Sequence, residues 1–284
     1  MNSPPPEIIE NLKAFLREDV RSGDITTNAM KPTDSQGTGT IYAKSKSVLA
    51  GLEEVIAIAE FSGLTYEVLA YEGNWVSPGN AVLKLNGSVK TLLTVERLCL
   101  NIVQRMSGIA TKTYNMVQTA RKGNPNVIIA ATRKTTPGFR YFEKRAVQVG
   151  GGDPHRYALD DMVMIKNNHI TVVGGITVAV KAAKAAVSFS KKITCEVRSL
   201  SETIEAIEAG ADIVMLDNFT PEDIAMVHKE LKKHSLRDRV LLEASGGINE
   251  TNVMAYAEGG IDIISSGSLT HSYDSSDFNM LITM

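Results

Sequence analysis

The chain has 284 residues, 43% of them hydrophobic, and carries 30 Lys and Arg against 32 Asp and Glu, a net charge of −2. That is enough apolar material for one or two packed domains, and the near-neutral balance argues against a general affinity for nucleic acid or anionic membranes. Two cysteines, Cys99 and Cys195, lie in apolar surroundings and form no disulfide or metal-ligand spacing; without a leader-like N-terminus or a run of ~18 apolar residues, a soluble, reduced, cytoplasmic protein is expected.

Residues 7–20 place Ile8, Ile9, Leu12, Phe15, Leu16 and Val20 at helical spacing and predict an amphipathic helix. Residues 21–27, Arg-Ser-Gly-Asp-Ile-Thr-Thr, read as a loop. Residues 39–93 hold short alternating runs with turn chemistry, such as Gly73-Asn74 and Pro78-Gly79, interrupted by one helix over 52–61. They predict a small antiparallel sheet with helices on one face. Such glycine-rich hairpins are superficially like a lipoyl or biotinyl carrier, but no hairpin-tip lysine with its recognition residues is present. Residues 94–120 predict a long helix whose apolar face is Val95, Leu98, Cys99, Ile102, Val103 and Met106, with a break expected near Ser107-Gly108.

From residue 126 onward one arrangement recurs about six times: an apolar run ends abruptly in a charged residue or glycine, and a helix-like stretch follows. The runs are 126–131, 162–165, 193–195, 213–216, 240–244 and 261–264. Short apolar runs bounded by turn signals predict buried parallel strands, and their alternation with helices predicts βα units around a sheet or barrel. Two units are visibly alike, Glu-Ala-Gly-Ala-Asp-Ile at 208–213 and Glu-Gly-Gly-Ile-Asp-Ile at 258–263. The tail from about Tyr273 is too short for another unit and is expected to pack on the N-terminal domain. The domains are therefore set at residues 1–110, with the tail 272–284, and 111–271.

Chemistry in such folds sits at the carboxyl ends of the strands. Arg133-Lys134-Thr135-Thr136-Pro137-Gly138 follows the first strand and suits a fixed anion site. Five cations lie between residues 133 and 145 against the single Glu143, which suggests a small acidic ligand, although Lys144 and Arg145 are expected on a solvated helix face. Gly150-Gly151-Gly152 precedes His155 and Arg156, either of which could face the site. Lys166 ends the second strand and needs a partner anion if buried; it could equally form a Schiff base, as in an aldolase. His169 is expected to be structural. Glu196 and Asp217 end consecutive strands and could hold Mg2+, bind vicinal hydroxyls, act as an acid/base pair, or salt-bridge to Lys134 or Lys166. Ser245-Gly246-Gly247 opens a helix after the fifth strand, and Gly267 and His271 follow the sixth; in barrels these two loops form the usual phosphate site. His228 and His234, in a lysine-rich helix, are expected to be solvated.

These residues point to a barrel enzyme acting on a phosphorylated sugar and an anionic partner. In order along the chain, Glu18-Asp19-Val20-Arg21-Ser22-Gly23-Asp24, Glu96-Arg97, Ser107-Gly108-Ile109-Ala110-Thr111, Thr132-Arg133-Lys134-Thr135-Thr136-Pro137-Gly138, His155-Arg156, Cys195-Glu196-Val197, Leu216-Asp217-Asn218 and Glu243-Ala244-Ser245-Gly246-Gly247-Ile248 resemble the quinolinate phosphoribosyltransferase family. One departure is Asn167, where the family often carries Asp. The resemblance implies an N-terminal open-faced α/β sandwich and a C-terminal α/β barrel of fewer than eight strands. It implies transfer of phosphoribosyl from phosphoribosyl pyrophosphate to quinolinate with loss of CO2, in NAD biosynthesis. It further implies a quinolinate cage of Arg133, His155, Arg156 and Lys166, with Arg97 arriving from the other subunit of a homodimer, and leaves dimer or hexamer open as the final assembly. Lys134, Lys166, Glu196 and Asp217 would be catalytic, the last two holding Mg2+. Ser245, Gly246, Gly247, Gly267 and His271 would hold the 5′-phosphate. Kept open beside it are a related transferase for another ring acid, a Lys166 aldolase, and a phosphate-ligand sensor without turnover.

Overall fold

The computed structural model describes residues 4–30 and 35–284. In chain order the elements are α1 (Pro6–Val20), α2 (Ile25–Met30), β1 (Gln36–Ala43), β2 (Ser47–Val48), α3 (Leu52–Phe61), β3 (Thr65–Val68), β4 (Trp75–Val76), β5 (Ala81–Ser88) and α4 (Val89–Gly123). There follow β6 (Ile128–Ala130), α5 (Arg140–Val149), β7 (Val163–Ile165), α6 (Asn167–Val173), α7 (Ile176–Ala186), β8 (Ile193–Val197), α8 (Leu200–Ala209) and β9 (Ile213–Asp217). The chain closes with α9 (Pro221–Lys233), β10 (Leu241–Ser245), α10 (Val253–Glu258), β11 (Ile263–Ser265), α11 (Ser268–His271) and β12 (Phe278–Thr283). Two units form. The first takes the chain up to Lys112 with Pro137–Gly151 and Tyr273–Met284; the second takes Thr113–Thr136 and Gly152–Ser272. Among the described residues no single helix is long and apolar enough to cross a membrane; α6 and α7 reach that length only as a pair bent by 93°.

The first unit is built on an antiparallel sheet of order β12-β1-β5-β3. The tail strand β12 pairs along β1, with Ile41 opposite Met280 on one side and Leu83 on the other. Three local expectations change here. Residues 21–27 are not all loop, because α2 starts inside them. Asp24 accepts from both the N–H and the hydroxyl of Thr27, as an N-cap residue does, and those bonds hold its carboxyl below the usual range. The long helix α4 runs 35 residues without the break expected at Ser107-Gly108. Ser107 instead donates to and accepts from the backbone of Ala50. Gly108 is required by close approach: a Cβ there would overlap the Asp274 carbonyl and lie 3.0 Å from the Ser275 Cα.

The third change is the segment after β6. In a βα unit it should cover the parallel sheet, yet Pro137–Gly151 belongs to the first unit. Its helix α5 buries Phe142, Ala146 and Val147, and the Phe142 ring lies 5.7 Å from Phe15. The charges expected on a solvated face are inside. Lys144 is fully buried, and Arg145 is ion-paired with Glu53, Glu54 and Glu72. Glu72 also accepts from the N–H groups of Gly51 and Leu52 at the start of α3, which a negative charge at a helix N-terminus favours.

The second unit holds six parallel strands in the order β6-β11-β10-β9-β8-β7, so β6 and β7 are its edges. Its apolar face follows from strand alternation. Cys195, Val197, Val214, Leu216, Leu242, Ala244 and Ile264 are all fully buried, each contributing about 1.5–3 kcal/mol for the larger side chains. Asp212 and Asp262, the equivalent aspartates of the two similar repeats, each accept from a neighbouring strand, at Ile193 N–H (2.8 Å) and Leu242 N–H (2.7 Å). The repetition therefore records a shared way of fastening one βα unit to the next.

Candidate active site

Register brings the strand ends to one rim. Ser265 pairs with Ala130, Ser245 with both Ser265 and Asp217, Glu243 and Glu196 with Met215, and Met164 with Thr194. Because side chains alternate, Thr194, Glu196, Asp217, Glu243, Ser245 and Ser265 share the face opposite the apolar one, and Lys166 follows in phase with Glu196. The polar residues of four strands thus stand on one side of the sheet at its carboxyl end.

Lys166 donates to Glu196 Oε2 at 2.6 Å, so the partner anion expected for Lys166 is Glu196 itself. A Schiff base needs that nitrogen as a free neutral nucleophile, and this contact works against it. His169 Nδ1 accepts from the Lys166 N–H at 2.9 Å, fixing the start of α6 as a structural histidine should. With its amide assigned to the orientation that satisfies both neighbours, Asn167 turns its oxygen to the Arg198 guanidinium, 2.8 Å from Nε. A neutral oxygen satisfies that cation where the family often has a carboxylate.

Arg133 and Arg156 form the cationic side. Arg156 is 8% exposed, and its guanidinium reaches the Met162 carbonyl at 3.3 Å. Burial, and then the charge of Arg133, hold its pKa below the ordinary arginine value, while Glu243 opposes the shift. Arg133 Nε is buried without a hydrogen-bond partner. Two guanidiniums that repel each other, one with an unused donor, are poor packing and a good receptor for a dianion. His155 takes a left-handed backbone with φ 53°, rare for a residue with a Cβ. Its N–H donates to Asp153 Oδ1 at 2.6 Å.

The third cluster is the loop pair after β10 and β11. Gly246 has φ +109°, and a Cβ there would overlap the Asn218 amide, so the turn after Ser245 closes tightly on the turn after Asp217. Around Gly247 nothing lies within 4 Å of where a Cβ would be, leaving its backbone open to a ligand. An ideal Cβ on Gly267 would lie 2.8 Å from Lys134 Cδ and 2.9 Å from His271 Nε2. Thr270 fastens this loop to the first by donating to the Lys134 carbonyl at 2.8 Å. Lys134, Gly267 and His271 are therefore one neighbourhood, although residues 134 and 271 stand far apart in the chain.

The five-cation cluster read from sequence is divided. Arg133 and Lys134 stay with the second unit, whereas Arg140, Lys144 and Arg145 belong to the first. Arg97 is also in the first unit, exposed on α4. His228 is not solvated: its Nδ1 lies 3.0 Å from the Gly260 carbonyl and 3.1 Å from Arg237 Nε. Burial, then Lys232 and Arg237, hold its pKa below the ordinary value. Both cysteines are buried and free, and burial pushes each thiol up to about 12, so neither is a ready nucleophile. The residue that sequence reasoning passed over is Glu243. Its signal was a carboxylate inside the otherwise apolar run Val-Leu-Leu-Glu-Ala at 240–244, and it is fully buried on the polar face.

No group of three or more His, Cys, Asp or Glu suited to a metal occurs among the described residues. Mg2+ does not need one, because it is commonly held by one or two carboxylates with water and substrate phosphates. Glu196 and Asp217, in phase on neighbouring strands, fit that donor set.

Comparison with known proteins agrees with this architecture. Residues 24–107 match the quinolinate phosphoribosyl transferase N-terminal domain and residues 109–281 its C-terminal domain. A probable carboxylating nicotinate-nucleotide pyrophosphorylase of Archaeoglobus fulgidus is 44% identical over 260 residues, covering 92% of this chain and 98% of that protein. The human carboxylating nicotinate-nucleotide pyrophosphorylase is 39% identical over 279 residues, covering 98% and 92%. The crystal structure of NadC from Streptococcus pyogenes superposes with a TM-score of 0.92 at 40% identity, covering 100% of this chain and 99% of that one. With both domains matched in order over nearly the whole length, this chain belongs to the quinolinate phosphoribosyltransferase family.

Proposed function

We propose that the protein is a cytoplasmic carboxylating nicotinate-nucleotide pyrophosphorylase of NAD biosynthesis. It joins the phosphoribosyl group of phosphoribosyl pyrophosphate to the ring nitrogen of quinolinate, releasing pyrophosphate and CO2 and leaving nicotinate mononucleotide. The observation that carries this reading is the pairing, on one rim, of two mutually repelling guanidiniums, one with an unused donor, with glycine turns beside Lys134 and His271.

Arg133 and Arg156 bind the two ring carboxylates, with His155 and Lys166 completing the cage. Ser245, Gly246, Gly247, Gly267 and His271 hold the 5′-phosphate, and Lys134 neutralises phosphate charge beside it. Positive charge builds at the ribose carbon as pyrophosphate leaves, and the carboxylates of Glu196 and Asp217 face that region. The same two residues would hold Mg2+, which when bound neutralises charge on the departing pyrophosphate. Once ribosylated, the ring nitrogen is cationic. The electron pair left by the departing CO2 is stabilised beside it and then takes a proton. No protein nucleophile is needed; position and electrostatics suffice.

Incubation with quinolinate, phosphoribosyl pyrophosphate and Mg2+, with nicotinate in parallel, should give nicotinate mononucleotide and CO2 from quinolinate alone. Product from nicotinate, or from neither acid while phosphoribosyl pyrophosphate still binds, would move the assignment to another ring acid.

In this reading Arg97 of the partner subunit completes the cage in a homodimer, which either stands alone or assembles into a hexamer. Arg97→Ala and Lys166→Ala proteins, each inactive, should together regain about a quarter of wild-type activity once subunits exchange, since half the dimers become hybrids with one intact site. Absence of recovery after demonstrated exchange would count against sharing.

A further inference from the structure

Among the described residues of the parallel sheet, Glu243, more deeply buried than Glu196, is the carboxylate with no exposed surface. Its side chain is fully buried, and Oε1 has no hydrogen-bond partner. Burying an ionisable group among apolar strands costs free energy unless it is paired, and the hydroxyls of Thr194 and Ser265 on the same face are likewise unpartnered. What Glu243 does meet is the cage. His155 Nε2 lies 3.4 Å from each carboxylate oxygen, and Arg156 feels its charge.

The other ring nitrogen decides the protonation pattern. The Arg156 N–H donates to His155 Nδ1 at 2.7 Å, so Nδ1 is an acceptor without a proton and the ring hydrogen sits on Nε2. That hydrogen points to Glu243. The histidine is thus tied at three places: its N–H to Asp153, Nδ1 to the next residue, and Nε2–H to the buried carboxylate. Its left-handed backbone needs such over-determination to persist.

We infer that Glu243 is a positioning residue for ring-acid binding, holding His155 as the Nε2–H tautomer, whose Nδ1 in turn fixes the Arg156 backbone beside the cage. The inference rests on the assignment of His155 and Arg156 to that cage. Glu243 contacts no substrate itself and acts through its two neighbours.

The test uses full-length protein. Glu243→Ala should raise the KM for quinolinate about tenfold or more, the usual scale for leaving a buried donor unpaired, with the KM for phosphoribosyl pyrophosphate within about twofold. Glu243→Gln still offers an oxygen to Nε2–H and should stay within about threefold of wild type. In a His155→Ala background, removing Glu243 should add little, as expected for residues acting through one contact. Nitrogen NMR of the ligand-free, histidine-labelled protein should find a single Nε2–H tautomer for His155 in wild type and a mixture in Glu243→Ala. Should the alanine protein not fold, Glu243→Leu fills the volume and removes the buried charge, and the same results are expected of it. An unchanged quinolinate KM, full additivity with His155→Ala, or a single tautomer surviving the loss of Glu243 would each overturn the proposal. Tautomer mixing in a protein that never turns over quinolinate would locate the failure in the cage assignment instead, because that readout needs no substrate.

Discussion

Replacing Arg133 by alanine should lower kcat/KM for quinolinate about 10²–10³-fold, the scale of ~3–4 kcal/mol for losing a desolvated, charge-assisted contact to a carboxylate. The melting temperature should stay within about 3 °C of wild type. Both halves follow from the local physics. Arg133 stands on the loop after β6 with an unpartnered Nε, so no internal hydrogen bond from that atom is lost. Its charge also repels Arg156, and removing one of two like charges relieves the fold while emptying half the receptor. Steady-state kinetics with both substrates and a thermal melt decide the matter. A quinolinate kcat/KM close to wild type would take Arg133 out of the cage, and a large fall in melting temperature would make it structural.

The largest stability effect is expected in the first unit. Arg145→Met should destabilise by about 3–5 kcal/mol at pH 8, the usual result of removing one partner from a buried ionic cluster. Glu53, Glu54 and Glu72 would be left facing one another. The loss should be smaller near pH 5. Burial raises the Glu54 pKa to about 7, against the pull of Arg145, and Oε1, without a partner, is the oxygen free to carry the proton. A carboxyl whose folded pKa lies above its unfolded value contributes its full stability below the unfolded pKa, near 4.5, and loses it as pH rises through about 7. Without Arg145 the largest restraint on that upward shift is gone, so the deficit grows from pH 5 to pH 8. Chemical denaturation of both proteins across this range would measure it. A deficit that is flat, or larger at pH 5, would contradict the assignment of the proton to Glu54.

Part of the site was legible because strand ends announce themselves. Lys166, Glu196, Asp217 and Ser245-Gly246-Gly247 each follow an apolar run, whereas the common phase of the first three comes from the pairing register of their strands. Glu243 was hidden by the same logic, since a run of four apolar neighbours reads as core whichever face the odd residue takes. His228 was hidden among lysines, because its burial depends on Gly260 and Arg237 from other parts of the chain.

By itself the sequence determined the first amphipathic helix, the parallel βα half, the antiparallel half, and the family through its spaced motifs. These are local properties: periodicity of two or 3.6, turn residues, and residue types at fixed spacing. Only the tertiary structure decided that residues 137–151 leave the second unit for the first, that Arg145 is enclosed by three carboxylates, that Gly108 marks a close approach instead of a helix break, and that His155 meets Glu243. Each of those depends on which distant residues come into contact. A charged helix face looks the same in sequence whether water or three glutamates wait on the other side.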